Sequence, residues 1–240
     1  MIDEHSQLIQ MDIADAIIER PHAFDADGVR YYLYPPTLGK TLVLERYIAD
    51  IGFNLEIAQI NPYLEALSVA QSKRAAVARV IAIHTCSTKA EVIDEDLIEQ
   101  RATIISQAAT DEELASMLVL VMTHYSTQPF IEHLKLDTDR QNLERVRRAK
   151  KTKGSYTFGG KSIYGTIIDY ACERYGWTMD YVVWGISYQN LQMLMADSVQ
   201  SIYLTDEEQK NCHVPQSTDG IIINGDDPNA AAQLAEILKD

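Results

Sequence analysis

From Tyr175 to Leu204 the apolar positions recur at helical spacing. Tyr181, Trp184, Tyr188, Leu191, Met195, Val199 and Ile202 stand three or four residues apart, which lines one face of a helix. Asp180, Gln189, Asn190, Gln192, Asp197 and Gln200 fall mostly between them, as a one-sided helix requires. Gly185 weakens the periodicity, and Ser187 is placed to cap a second helix starting at Tyr188. The expectation is a short helix, a bend and a long amphipathic helix carrying aromatic and Met side chains. Both tryptophans, Trp177 and Trp184, lie in this stretch.

The rest of the chain is also mostly helical in pattern. Residues 7–20 predict a helix with Leu8, Met11 and Ile18 near one face, stopped by Pro21. Asp27-Gly28 before Val29, Tyr31, Tyr32 and Leu33 predicts a β-hairpin, which Pro35 and Pro36 end because neither can donate to a ladder. Leu44, Tyr47, Ile48 and Ile51 form a stripe closed by Gly52. Asn61-Pro62 opens a long helix to about Ile83, interrupted on its apolar side by Arg74. Asp94 caps the next one, and Thr110 with Glu113 forms a capping box for another. Thr138 with Gln141 reads as a further box, starting a basic helix to Lys151. A helix from Ser162 to Tyr175 has Ile163, Ile167, Tyr170 and Ala171 inward, and Gly176 closes it. Thr205 to Glu208 reads as an acidic turn or helix end.

The predicted fold class is mainly α, a multi-helix protein with a small N-terminal β-hairpin. Its expected organisation is a helix and hairpin (1–36), a helical body (37–151), a linker (152–161), an aromatic-rich helical unit (162–208) and a loose tail with a short terminal helix (209–240).

A chain of 240 residues can bury a sizeable core. No apolar run approaches the roughly 18–20 residues of a membrane span, and MIDEHSQLIQ lacks a signal-peptide pattern. Three cysteines, Cys86, Cys172 and Cys212, fit a reducing compartment better than a disulfide framework, so the expected location is cytoplasmic. The net charge of −14 disfavours nonspecific binding to nucleic acid or anionic membranes. One island departs from it: residues 140–161 carry 8 basic and 1 acidic side chains. With Tyr156, Phe158 and Tyr164 beside it, this island has the ingredients of nucleic-acid contact. A solvated helix complementing an acidic body is the simpler reading.

The candidate chemistry is weak throughout. Gly39-Lys40-Thr41 copies the end of a P-loop, but position 34 is Tyr where the pattern needs glycine, and Pro35-Pro36 removes backbone donors. A helix start explains it better than a nucleotide site. Asp25, Asp27 and Gly28 resemble part of a calcium loop, with Ala23 and Tyr34 where ligands belong; a turn is the better reading. His84, Cys86, Cys212 and His213 lack zinc-site spacing. No nucleophile elbow, HExxH or dinucleotide fingerprint is present. No catalytic residue, metal or cofactor is therefore expected. The candidate site is a partner-binding face of Trp177, Tyr181, Trp184, Tyr188, Leu191 and Met195, because Met and aromatic side chains adapt to varied apolar partners. Self-association through it is open.

Two stretches carry a family resemblance. VRYYLYPPTLGKT (29–41) and YGWTMDYVVWGISYQNLQMLMADSVQSIYLTDEE (175–208) together resemble the tail assembly chaperones of tailed bacteriophages. The resemblance implies a largely helical, acidic protein in the bacterial host cytoplasm. Such a protein noncovalently covers apolar segments of the tape-measure protein, or of another tail protein, until the tail assembles. A structural virion component, such as a connector or tail-completion subunit, is the alternative it leaves open, and a nucleotide- or nucleic-acid-binding protein is the other.

Overall fold

A computed structural model describes residues 4–150 and 159–212. The linker core from 152 to 158, His213 and the expected terminal helix of Pro228 to Lys239 lie outside the described residues. The fold is mainly α with one small hairpin, as the pattern predicts.

After α1 (Glu4–Ile17), strands β1 (His22–Ala26) and β2 (Val29–Leu33) pair antiparallel with Asp25 opposite Arg30. Asp27 and Gly28 take φ of 49° and 71°, the two left-handed residues that a tight hairpin turn requires. Phe24 and Tyr31 stack across the strands at 5.5 Å, and Leu33 passes into the core.

Local capping starts the next helices, at Asn61 as expected and at Thr37 and Asn54 besides. Thr37 accepts from Lys40 N at the head of α2 (Leu38–Ile51), and Gly52, at φ 66°, closes it. Asn54 caps α3 (Leu55–Ile60) and Asn61 caps α4 (Pro62–Ser72). The single long helix expected from Asn61 to Ile83 does not form. Lys73 leaves helical geometry and sends its ammonium to Asp50 O at 2.9 Å, and a new helix, α5 (Arg74–His84), begins. Arg74 is not an interruption of an apolar face. Its guanidinium donates to Ser106 O, Ala109 O and Asp111, and so fastens the junction of α7 (Glu95–Ala108) and α8 (Asp111–Thr123).

The core sits around α5, where Val77, Ala78, Val80, Ile81, Ala82 and Ile83 are all fully buried. A helix apolar on most of its circumference, with only Arg79 reaching outward to Glu99 from its middle, has to be largely surrounded. Here α2, α7 and α8 pack on it, while α4 packs on α8 and the short α6 (Lys89–Val92) on α2. The apolar side expected for α1 is not buried: Leu8, Met11 and Ile18 are all exposed.

After α9 (Gln128–His133), Lys135 takes φ 56° and α10 (Leu136–Ala149) starts two residues before the expected Thr138 cap, with Leu136 buried. Three helices then form a second cluster: α11 (Ile163–Tyr175), α12 (Met179–Trp184) and α13 (Tyr188–Ala196). Ile167, Ala171, Val182, Ile186 and Leu191 make its interior, whereas Ile163 is exposed rather than inward. The long second helix also stops early, at Asp197, so Val199 and Ile202 lie beyond it and Val199 is exposed.

The described residues divide into two compact units, one of 4–139 with 159–200 and one of 140–150 with 201–212. The first thus joins stretches that the sequence reading separates at 36 and 161. The second contains the greater part of α10, with Arg140, Arg145, Arg147 and Arg148 exposed and Glu144 3.5 Å from Arg148. It also contains α14 (Asp206–Cys212), a separate helix with Thr205 and Glu208 bonded reciprocally at its start. No described helix is long and apolar enough to cross a membrane.

Candidate partner-binding face

The bend between α12 and α13 is held by the N-terminal part of the same unit. Ser187 is buried, caps α13 by accepting from Asn190 N, and gives its own N–H to Glu19 Oε1 at 2.7 Å. Ser187 pairs with Thr37 in a β-bridge, and Tyr188 N donates to Pro36 O at 2.8 Å. Asn190 Nδ2 reaches Glu19 Oε1 at 3.2 Å, and Gln189, also buried, donates to Ser126 O. A Ser-x-x-Asn sequence that reads as a simple cap is therefore also a seam, with its polar groups matched one by one.

This seam splits the six expected face residues. Trp184 turns toward α2, where its indole lies on Gly39 and joins the margin of the main core, with Lys89 Nζ 5.7 Å from its ring centre. Leu191 is fully buried and cannot touch a partner; Tyr188 and Met195 pack half-buried around the second cluster. Helical spacing carried across the Gly185–Ser187 break counted all of them on one side, and the break cancels that register.

Trp177 and Tyr181 remain together, their rings at 5.1 Å edge to face. They end a row of four: Tyr170 to Tyr175 is 6.3 Å and Tyr175 to Trp177 is 4.7 Å. Such ring pairs stabilise beyond their buried area by roughly 0.5–1.5 kcal/mol. Arg174 sits 5.9 Å from the centres of both Tyr170 and Tyr175 and ties the row to Val199 O. Tyr175 Oη donates to Leu194 O, and burial pushes its hydroxyl pKa up. Tyr181 closes the row on Gly185, where an added Cβ would come 2.3 Å from the ring. Apolar side chains stay open along the row: Tyr181 is 44% exposed, its helix neighbour Met179 64%, and Leu194, bonded through its carbonyl to Tyr175, 39%. Tyr175, Met179 and Leu194 stand outside the expected face of Trp177, Tyr181, Trp184, Tyr188, Leu191 and Met195. The aromatic run from Tyr170 through the Gly176 turn into Trp177 was the available signal.

The other candidate chemistry resolves into structure. Gly39, Lys40 and Thr41 form the first turn of α2, with Gly39 beneath the indole. Asp25 faces Arg30 in the hairpin at 3.9 Å. His84 is buried in neutral form, its pKa brought down by burial, then by Lys40, to about 3. Cys86 is buried, which pushes its thiol pKa up, and Arg101 Nη1 contacts its sulfur at 3.7 Å. Among the described residues no three His, Cys, Asp or Glu side chains converge on a common point.

Neither a protein-family model, nor a curated protein, nor a solved structure matches this chain.

Proposed function

We propose that this chain is a non-enzymatic binding protein that covers apolar helical segments of a client, and that the client is a tape-measure or other tail protein in the cytoplasm of a phage-infected bacterium. The observation that carries the reading is the aromatic row ending at Trp177 and Tyr181, with Met179 and Leu194 exposed beside it. A rigid row of rings offers large contact area at small entropic cost. The resemblance of residues 29–41 and 175–208 to tail assembly chaperones supplies the client class.

The magnitudes suit a reversible holder. Burying about 400 Å² of apolar surface is worth on the order of 10 kcal/mol. Ordering and association costs on the order of 4–15 kcal/mol consume most of it, so binding is transient. The acidic surface keeps the holder dispersed while the client is uncovered.

The test is capture of a coexpressed tape-measure segment by the full chain. Wild type should retain it, and Met179→Ser with Tyr181→Ser should lose most of it while keeping the wild-type circular dichroism. Equal retention by the variant would reject this face, and no retention by wild type would reject the client. Presence of the protein in purified virions would point to the structural-component alternative.

A further inference from the structure

A cavity of about 120 Å³ is lined by Glu19, Tyr34, Thr37, Lys40, Thr88, Lys89 and Trp184 among others. We propose that it is a site for a small oxyanion, held by the Lys40 ammonium at the start of α2.

Lys40 is only 3% exposed, yet among the described residues its ammonium meets no carboxylate: its partners are His84 O, at 3.5 Å, and the Tyr34 ring, whose centre is 5.8 Å away. The carboxylates around it are engaged elsewhere. Glu91 Oε1 takes Arg101, and its Oε2 takes Ser87 N, Ser87 Oγ and Thr88 N. Glu19 Oε1 takes Ser187 N and Asn190, and Asp180 takes Lys89 at 2.8 Å. A buried ammonium without a counter-ion is strongly disfavoured, and an anion in the cavity relieves that penalty. Burial brings the Lys40 pKa down to about 8, against the weaker pull of Cys86 and Glu91, so the amine is still mostly cationic at neutral pH.

The surroundings suit a negative ligand. Lys40 is the third residue of a 14-residue helix, whose N-terminal end favours anions. The Thr37 and Thr88 hydroxyls accept from backbone N–H groups of their own helices, which leaves their hydrogens to donate. Size limits the ligand class. A space of about 120 Å³ suits a compact anion such as inorganic phosphate or a short carboxylate. The Gly39-Lys40-Thr41 triplet thus supplies one anion-binding lysine without the wrapped loop that a nucleotide triphosphate requires.

The test titrates the full chain with inorganic phosphate and, separately, with acetate, followed by calorimetry and by the Lys40 ammonium signal in NMR. Saturable binding of either should raise the Lys40 pKa above 8 and vanish in Lys40→Met. Phosphate alone marks a phosphate site, and acetate alone a carboxylate site. Binding by neither overturns the proposal, as does binding that survives intact in Lys40→Met. Should that variant fail to fold, wild type decides by pH. His84, Cys86, Glu91, Glu19, Tyr34 and Lys89 also face or adjoin the amine, but loss of the Lys40 proton predicts affinity falling about tenfold per unit above pH 8. Affinity constant from pH 7 to 10 also overturns it.

Discussion

The indole of Trp184 lies on Gly39 so closely that a Cβ built there would stand 2.8 Å from three of its ring carbons. Gly39 is in the first turn of α2, where alanine would ordinarily improve helix stability by about 1 kcal/mol. The contact reverses that sign. Gly39→Ala should destabilise the protein by roughly 1–3 kcal/mol in urea unfolding, the usual range for overpacking. Combining it with Trp184→Leu should cost less than the sum of the two single changes. A stabilising Gly39→Ala would mean that the indole does not rest there.

Leu191 and Tyr181, both expected on one face, should separate cleanly in experiment. Leu191 is fully buried among Ile167, Ala171, Val182 and Ile186, so Leu191→Ala should lose about 2–5 kcal/mol of stability. Tyr181 is 44% exposed, so Tyr181→Ser should cost less than Leu191→Ala, losing a ring pairing of roughly 0.5–1.5 kcal/mol and the covered part of its apolar area. Client capture should fall in the second variant. Parallel losses of stability in both would show that Tyr181 is core and not contact surface.

The capping box at α8 gives a local test. Thr110 Oγ1 accepts from Glu113 N, and Glu113 Oε2 accepts from Thr110 N at 2.7 Å. Thr110→Ala should lower stability by about 1 kcal/mol. Arg74→Met should lose more, because Ser106 O and Ala109 O give up their donor and Asp111 its cation at one junction. Chemical denaturation of the two variants ranks them.

The devices legible in the sequence are short-range. Asn61-Pro62, Asp94, Thr110 with Glu113, Ser187 and Asp27-Gly28 act within four residues of themselves, and each forms where its pattern places it. What escaped depends on distant chain. Lys73 breaks a helix while reaching Asp50 O, and Trp184 faces α2 because Gly39 leaves a flat seat for it. The pattern marks Lys40 as a helix-start residue and carries no sign of its burial near His84, Cys86 and Trp184, which no local period brings together. The candidate face was half legible for the same reason. Residue types marked the region, but the fold decided which rings point outward.

Acid should weaken the fold well before the carboxylates protonate. Burial keeps His84 neutral, with a pKa of about 3 in the folded chain against 6.5 when unfolded. The unfolded state therefore binds the extra proton first: stability from this group is complete above pH 6.5 and is lost as pH falls toward 3, at up to about 1.4 kcal/mol per unit. His22 acts in the same sense, its pKa lowered by burial and by His124, whose Nε2 is 2.8 Å from its own. Glu91 adds to the loss only later. Burial raises its pKa, but hydrogen bonds from Ser87 and Arg101 outweigh that and hold it at about 2, so its contribution is present above 4.5 and disappears between 4.5 and 2. The interval from pH 6.5 to 4.5 thus isolates the histidines. Urea midpoints measured there should drop steadily in wild type, less steeply in His22→Gln, and least in His84→Gln. A flat wild-type profile over that interval would mean that His84 is not held neutral and buried.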